Sequence, residues 1–185
     1  MKRLIHFVFI LVATIAFSAC NHAKVYDEYA HTPIAGWEKN DTLSFEIPPM
    51  AATGYYRQSL GLRTTGAYPF TALTLIVNQT IYPANKGKRI EKTDTLLCQL
   101  INQHGENKGQ GISYYQYNFP INIYKINRGD SIHIAIRHDM KREILPGVSD
   151  IGVKIMKMRR ISLVIFYAVK SSFLPGFFRH QYAGR

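Results

Sequence analysis

The chain has 185 residues, with 23 Lys and Arg against 12 Asp and Glu and a formal net charge of +11. A surplus of that size points to nucleic acid, but its distribution excludes that reading. Of the 23 basic groups, Lys2 and Arg3 fall in the first twenty residues and seven lie between Lys154 and Arg185, and neither segment holds an acid. The other 14 face all 12 acids, so the body of the chain is nearly neutral.

In chain order, Lys2 and Arg3 precede an apolar run from Leu4 to Phe17. A charged start, a short apolar stretch and small residues before a cut describe a secretory signal peptide over residues 1–19. The run is too short for a transmembrane helix, which needs about 20 residues. Phe17-Ser18-Ala19-Cys20 resembles the lipobox of bacterial lipoproteins, with Phe17 where Leu is commonest. That resemblance implies that the Cys20 thiol receives a diacylglyceryl group, with acyl chains such as palmitate, and becomes the new N-terminus. The alternative is an ordinary cleaved signal with an unrelated cysteine. Each buried methylene contributes about 0.8 kcal/mol, so two or three chains make an effectively permanent anchor. Residues 20–37 then form a lipid-anchored tether leading into the domain. Cys98 is left as the sole free thiol, in apolar Leu96-Leu97-Cys98-Gln99-Leu100. The domain must therefore stand without disulfides, and Cys98 reads as a small buried hydrophobe.

Residues 38–157 alternate with period two between turn signals, the pattern of strands. Leu43, Phe45 and Ile47 alternate with Ser44 and Glu46 until Pro48-Pro49. Tyr56–Thr64, with Gly61 as a candidate bulge, Ala72–Tyr82 and Ile90–Ile101 follow. Lys86, Lys88, Arg89 and Lys92, beside Pro83 and Gly87, read as a solvated hairpin loop. A glycine-rich loop covers Gly105–Gly111. Ile112–Tyr124 is broken by Pro120, which predicts an edge strand, a bulge or two short strands. Asn127-Arg128-Gly129-Asp130 is a turn. Ile132, Ile134 and Ile136 then share one face and His133, Ala135 and Arg137 the other, and Asp150–Met156 closes the series. The predicted fold is all-β: a single antiparallel β-sandwich domain behind an N-terminal lipoprotein signal peptide. Residues 158–185 form a basic, apolar tail. Its Ile161–Val169 run suits an added strand, an amphipathic tail or an altered reading frame, and the domain is predicted to fold without it.

Chemistry is sparse. Seven histidines are scattered, with His22 and His31 in the tether and His133 and His138 on opposite faces of one strand; no zinc-like spacing exists. Arg137-His138-Asp139 suggests a strand-end ion pair between Arg137 and Asp139. No nucleophile elbow, phosphate loop or dinucleotide fingerprint is present, so no catalytic residue, metal ligand or cofactor is predicted and the chain is read as not an enzyme. Tyr115, Tyr117 and Phe119 share a face, near Tyr114, and Tyr55, Tyr56 and Tyr68 form a second group. Exposed, such rows could stack on a glycan; buried, they are ordinary sheet tyrosines. Trp37 is predicted to be a structural anchor, packed over an open end of the sandwich and fixing where the tether ends.

Val25-Tyr26-Asp27-Glu28-Tyr29, Gly36-Trp37-Glu38-Lys39-Asn40-Asp41-Thr42-Leu43-Ser44-Phe45, Gly129-Asp130-Ser131-Ile132 and Met140 with Leu145-Pro146-Gly147-Val148-Ser149-Asp150-Ile151-Gly152-Val153 occur in that order behind the lipobox. Together they resemble the gliding-motility lipoprotein GldH family, over about residues 20–156. The resemblance implies a non-enzymatic lipoprotein of the bacterial cell envelope, an accessory or assembly component of a gliding-motility or secretion-related complex. It carries over only Cys20. The implied partners are the membrane, through the lipid, and an envelope protein complex, with no nucleic acid. Cys20-Asn21-His22-Ala23, lacking an acidic cluster, leans to a periplasm-facing domain. The alternative function is an envelope lipoprotein that binds glycan through exposed tyrosines.

Overall fold

The structure, a computed structural model, describes residues 24–158, so the signal peptide, Cys20 and the tail from residue 159 lie outside the described residues. Its ten strands are β1 (Lys24–His31), β2 (Trp37–Glu38), β3 (Leu43–Ile47), β4 (Gly54–Thr65), β5 (Ala72–Tyr82), β6 (Ile90–Gln99), β7 (Tyr114–Ile126), β8 (Ser131–His138), β9 (Ile144–Leu145) and β10 (Val148–Lys157). Two four-stranded sheets run in the orders β1-β10-β4-β7 and β3-β8-β5-β6, and β2 pairs with β9 in a separate ribbon. All pairings are antiparallel. Only β5 and β6 are consecutive long strands within one sheet; the other long strands change sheet at each connection. That is the strand order of a jelly roll, two Greek keys closed over one core.

Alternation builds the core as expected. Ile132, Ile134 and Ile136 of β8 face Leu60 and Leu62 of β4 and Ile151, Val153 and Ile155 of β10 across the sandwich, all buried. Each such side chain contributes about 1.5–3 kcal/mol. Pro120 sits on β7, an edge strand, where its missing N–H leaves no central ladder bond unmade. The register moves there from Gln58↔Asn122 to Ser59↔Pro120, so Ile121 is the extra residue of a bulge.

One expectation changes. Lys24–His31 lies within the stretch read as tether but is a full strand, pairing with β10 from Lys24↔Met156 to His31↔Asp150. The last strand, β10, is interior, held between β1 and β4.

Because β1 enters at Lys24, the two ends of the sandwich differ in kind. One end gathers Lys24, Gly54, Lys157 and the β3–β4, β5–β6 and β7–β8 turns: Gly54 pairs with Ile126, and Gly129 N–H donates to Met50 O at 2.8 Å. The opposite end holds the β2–β9 ribbon and the β4–β5 and β6–β7 loops. Trp37 lies at this second end, fully buried. It is a packing residue, as expected, but it stands far from where the tether enters.

Candidate functional site

Cys98 and His138 are both used for structure. Cys98 faces the core opposite Leu73, fully buried. Burial disfavours the thiolate and pushes its pKa up to about 12. His138 is fully buried at the end of β8. Its Nε2 lies 3.2 Å from Trp37 O, and Met140 N–H donates to Nδ1 at 3.4 Å. These contacts fix a neutral ring with its proton on Nε2, and desolvation holds its pKa below the usual histidine value. His133 takes the other face and meets Glu46 at 3.2 Å. Among the described residues, Arg137 and Asp139 form no ion pair, contrary to expectation. Neighbouring strand positions of like parity are close, but β8 ends at His138, and Asp139 N–H turns away to Thr74 O at 2.8 Å.

The tyrosine row does share a face, and that face is the inner one. Tyr117 is buried, Tyr115 and Phe119 are half-buried, and Tyr117 stacks on Phe119 at 6.1 Å between centroids. Tyr56 is buried too, and its hydroxyl donates to Ala52 O at 2.5 Å. Tyr68 sits half-buried against Phe70, its hydroxyl donating to Ala72 O at 2.9 Å. The rings of Tyr117 and Tyr56 are covered by protein, and those of Tyr115, Phe119 and Tyr68 are partly covered. Tyr114 alone of the row is well exposed.

Three arrangements escaped the sequence. On the outer face of the first sheet, the Tyr29 ring lies over Gly61 and Gly152, with the Arg63 guanidinium 4.1 Å from its centroid. Gln116 ties them, donating to Tyr29 Oη at 2.5 Å and accepting from Arg63 Nε at 2.8 Å. Gly61 is thus a site of close approach, not a bulge, since it pairs in register with Gly152 and Asn118. Between the sheets, Tyr124 Oη donates to Asp94 Oδ2 at 2.9 Å and Gln79 Nε2 to the same atom at 3.3 Å, joining the edge strands β6 and β7. At the Trp37 end, His31, Pro33, Ile34, Tyr114, Pro146 and Val148 line an open groove of about 510 Å³. Ile34 and Tyr114 there, and Ile112 and Ile144 on the same end, are exposed apolar side chains. A pairing of distant loops leaves no local sequence signal.

The domain is a jelly roll whose first described strand enters at one end, with Ile34, Ile112, Tyr114 and Ile144 exposed at the other. The family model of the GldH lipoprotein matches residues 24–155. Gliding motility lipoprotein GldH of Flavobacterium johnsoniae is 30% identical over 157 residues, 79% of this chain and 92% of that one. A Gliding motility lipoprotein GldH homolog of Christiangramia forsetii is 28% identical over 165 residues, 81% and 94% of the two chains. A solved structure from Sulfurospirillum deleyianum reaches a TM-score of 0.41 at 9% identity, over 73% of this chain and 99% of that one, too distant a likeness to carry an argument. The chain belongs to the GldH lipoprotein family and is a lipid-anchored protein of the cell envelope.

Proposed function

We propose that the protein is a non-enzymatic, periplasm-facing adaptor of a gliding-motility or secretion-related envelope complex, held by lipid on Cys20 after removal of residues 1–19. The observation that carries this reading is the groove and the exposed side chains at the end away from the anchor. The chain comes from Cys20 into the Lys24 end, while exposed Ile34, Ile112, Tyr114 and Ile144 lie at the far end. Anchoring concentrates that far surface beside membrane partners without any new contact. An envelope protein presenting an apolar segment fits the groove beside Ile34 and Tyr114. The burial of Cys98 and His138 supports a binding role over a catalytic one. The inward face of Tyr115, Tyr117 and Phe119 favours a protein partner over glycan.

Photo-crosslinking from position 34 or 114 in intact cells tests this. The adaptor reading expects discrete protein adducts that Tyr114→Asp or Ile34→Asp diminishes while membrane retention is unchanged. Adducts absent at both positions, with a glycan retained on the purified protein, would overturn it.

A further inference from the structure

We propose that the Lys24 end is a built basic surface that seats the domain on anionic phospholipid headgroups, so that the protein stands upright on its membrane. The inference rests on the anchored reading and adds an orientation to it. Cys20 precedes Lys24 by four residues, and a chain spans at most about 3.3–3.6 Å per residue. The lipid therefore holds Lys24 within about 14 Å of the bilayer surface.

Lys24 itself pairs with Asp27 at 3.4 Å on the edge strand β1, and a basic cluster lies at the same end of the sandwich. Lys86, Lys88 and Arg89 of the β5–β6 turn, Lys125 near the end of β7 and Arg128 of the β7–β8 turn are all exposed at this end. Along the chain the β5–β6 turn is separate from Lys125 and Arg128, and none of these residues belongs to the charged termini. The fold brings them together because β5 and β7 both run towards this end and β6 and β8 both start from it. Two of the cations here are paired with acids: Lys24 with Asp27 at 3.4 Å and Arg89 with Glu91 at 2.8 Å, both pairs open to solvent. Glu46 meets His133 and Asp130 is buried, which leaves Lys86, Lys88, Lys125 and Arg128 without an acidic partner among the described residues. The opposite end instead mixes Glu38, Asp41, Glu106, Asp139 and Glu143 with four basic residues.

The surface is also fixed in place. Asp130 Oδ1 accepts from Ala84 N–H and Oδ2 from Asn127 N–H, both at 3.0 Å. One buried carboxylate thus pins both basic turns. Arg128 N–H donates to Thr53 Oγ1 at 2.9 Å, tying the β3–β4 turn to the same unit. Gly129, at φ +86°, lets the β7–β8 turn close against Ala84. Val25, Tyr82 and Ile90 add partly exposed apolar surface at this end, the mixture of apolar and basic groups that suits a headgroup layer. Each Lys or Arg near an anionic surface adds about 1 kcal/mol, roughly fivefold in affinity.

The mature lipoprotein, reconstituted in phosphatidylcholine vesicles with or without phosphatidylglycerol, carries a fluorophore on Asn127→Cys or Gln103→Cys, at opposite ends. Cys98 is buried and does not compete for label. Flotation on neutral vesicles reads the anchor, and quenching by headgroup-labelled lipid reads the orientation. The expected result is strong quenching at position 127 and little at 103, with the contrast growing when phosphatidylglycerol is present. High salt or combined Lys86→Glu, Lys88→Glu and Arg89→Glu should cut that gain about tenfold or more. Equal quenching at both ends, or a contrast indifferent to anionic lipid and salt, would overturn the basic seat while leaving the anchor intact. Flotation with anionic vesicles alone would uphold the seat and sink the anchor; flotation with neither would sink both.

Discussion

The Trp37 carbonyl oxygen and His138 Nε2 meet at 3.2 Å, and the two rings lie edge to face at 5.2 Å across 101 residues of sequence. This pair joins the β2–β9 ribbon to the end of β8. Trp37 Nε1 donates onward to Asp41 O at 3.1 Å, which fixes the chain as it turns into β3. The closed end of the sandwich depends on both residues.

Trp37→Ala should lower unfolding stability by about 3–5 kcal/mol, a large share of the roughly 5–15 kcal/mol of such a domain. As the single tryptophan, it gives a direct readout: blue-shifted emission resistant to iodide. Water-like emission, with wild-type denaturation in the variant, would contradict its burial.

The depressed pKa of His138 sets a pH dependence. Desolvation, the largest cause, favours the neutral ring in the fold, whereas the unfolded chain takes a proton near pH 6.5. The contribution of His138 is therefore complete above about pH 6.5 and is lost as pH falls from there through the lower folded value. The melting temperature of wild type should drop more between neutral and mildly acid pH than that of His138→Phe. Parallel pH profiles would show that the ring is not buried neutral.

Cys98 should resist thiol reagents in the native state. With its pKa pushed up to about 12 and its side chain buried opposite Leu73, thiolate is scarce at pH 8 and access requires opening. Labelling should follow the unfolding curve in denaturant. Rapid labelling of native protein would place Cys98 at the surface.

A methyl group on Gly152 would come 2.6 Å from Cε1 of Tyr29. Gly152→Ala should cost roughly 1–3 kcal/mol by overpacking. Tyr29→Ala in the same chain should recover part of it, giving a non-zero coupling in a double-mutant cycle. Strictly additive effects would mean that Tyr29 does not lie over the glycine.

The sheets were largely legible because half-buried strands print their burial in alternate residues: Ile132, Ile134 and Ile136 face the core as read, and Pro120 does mark an edge and a bulge. What depends on pairing between distant segments was not legible. Lys24–His31 reads as tether because its outward Asp27 and Tyr29 find partners, Lys154 and Gly152, only through β10. The jelly-roll order has no local signature, and a two-residue ribbon such as β2–β9 is too short for any period. Tyr115, Tyr117 and Phe119 were correctly placed on one face, but alternation does not tell which face is inward. The charge division along the chain treated Lys86–Arg89 as an isolated loop, and only the fold packs it against the turn that carries Arg128.

The central claim, that a lipid on Cys20 holds this domain at a membrane, is tested most directly by metabolic labelling with an alkyne fatty acid followed by membrane flotation. Wild-type protein should be labelled and should float, and Cys20→Ala should be unlabelled and either released or left unprocessed. Wild-type protein of mature size that carries no label and stays in the soluble fraction would contradict the account.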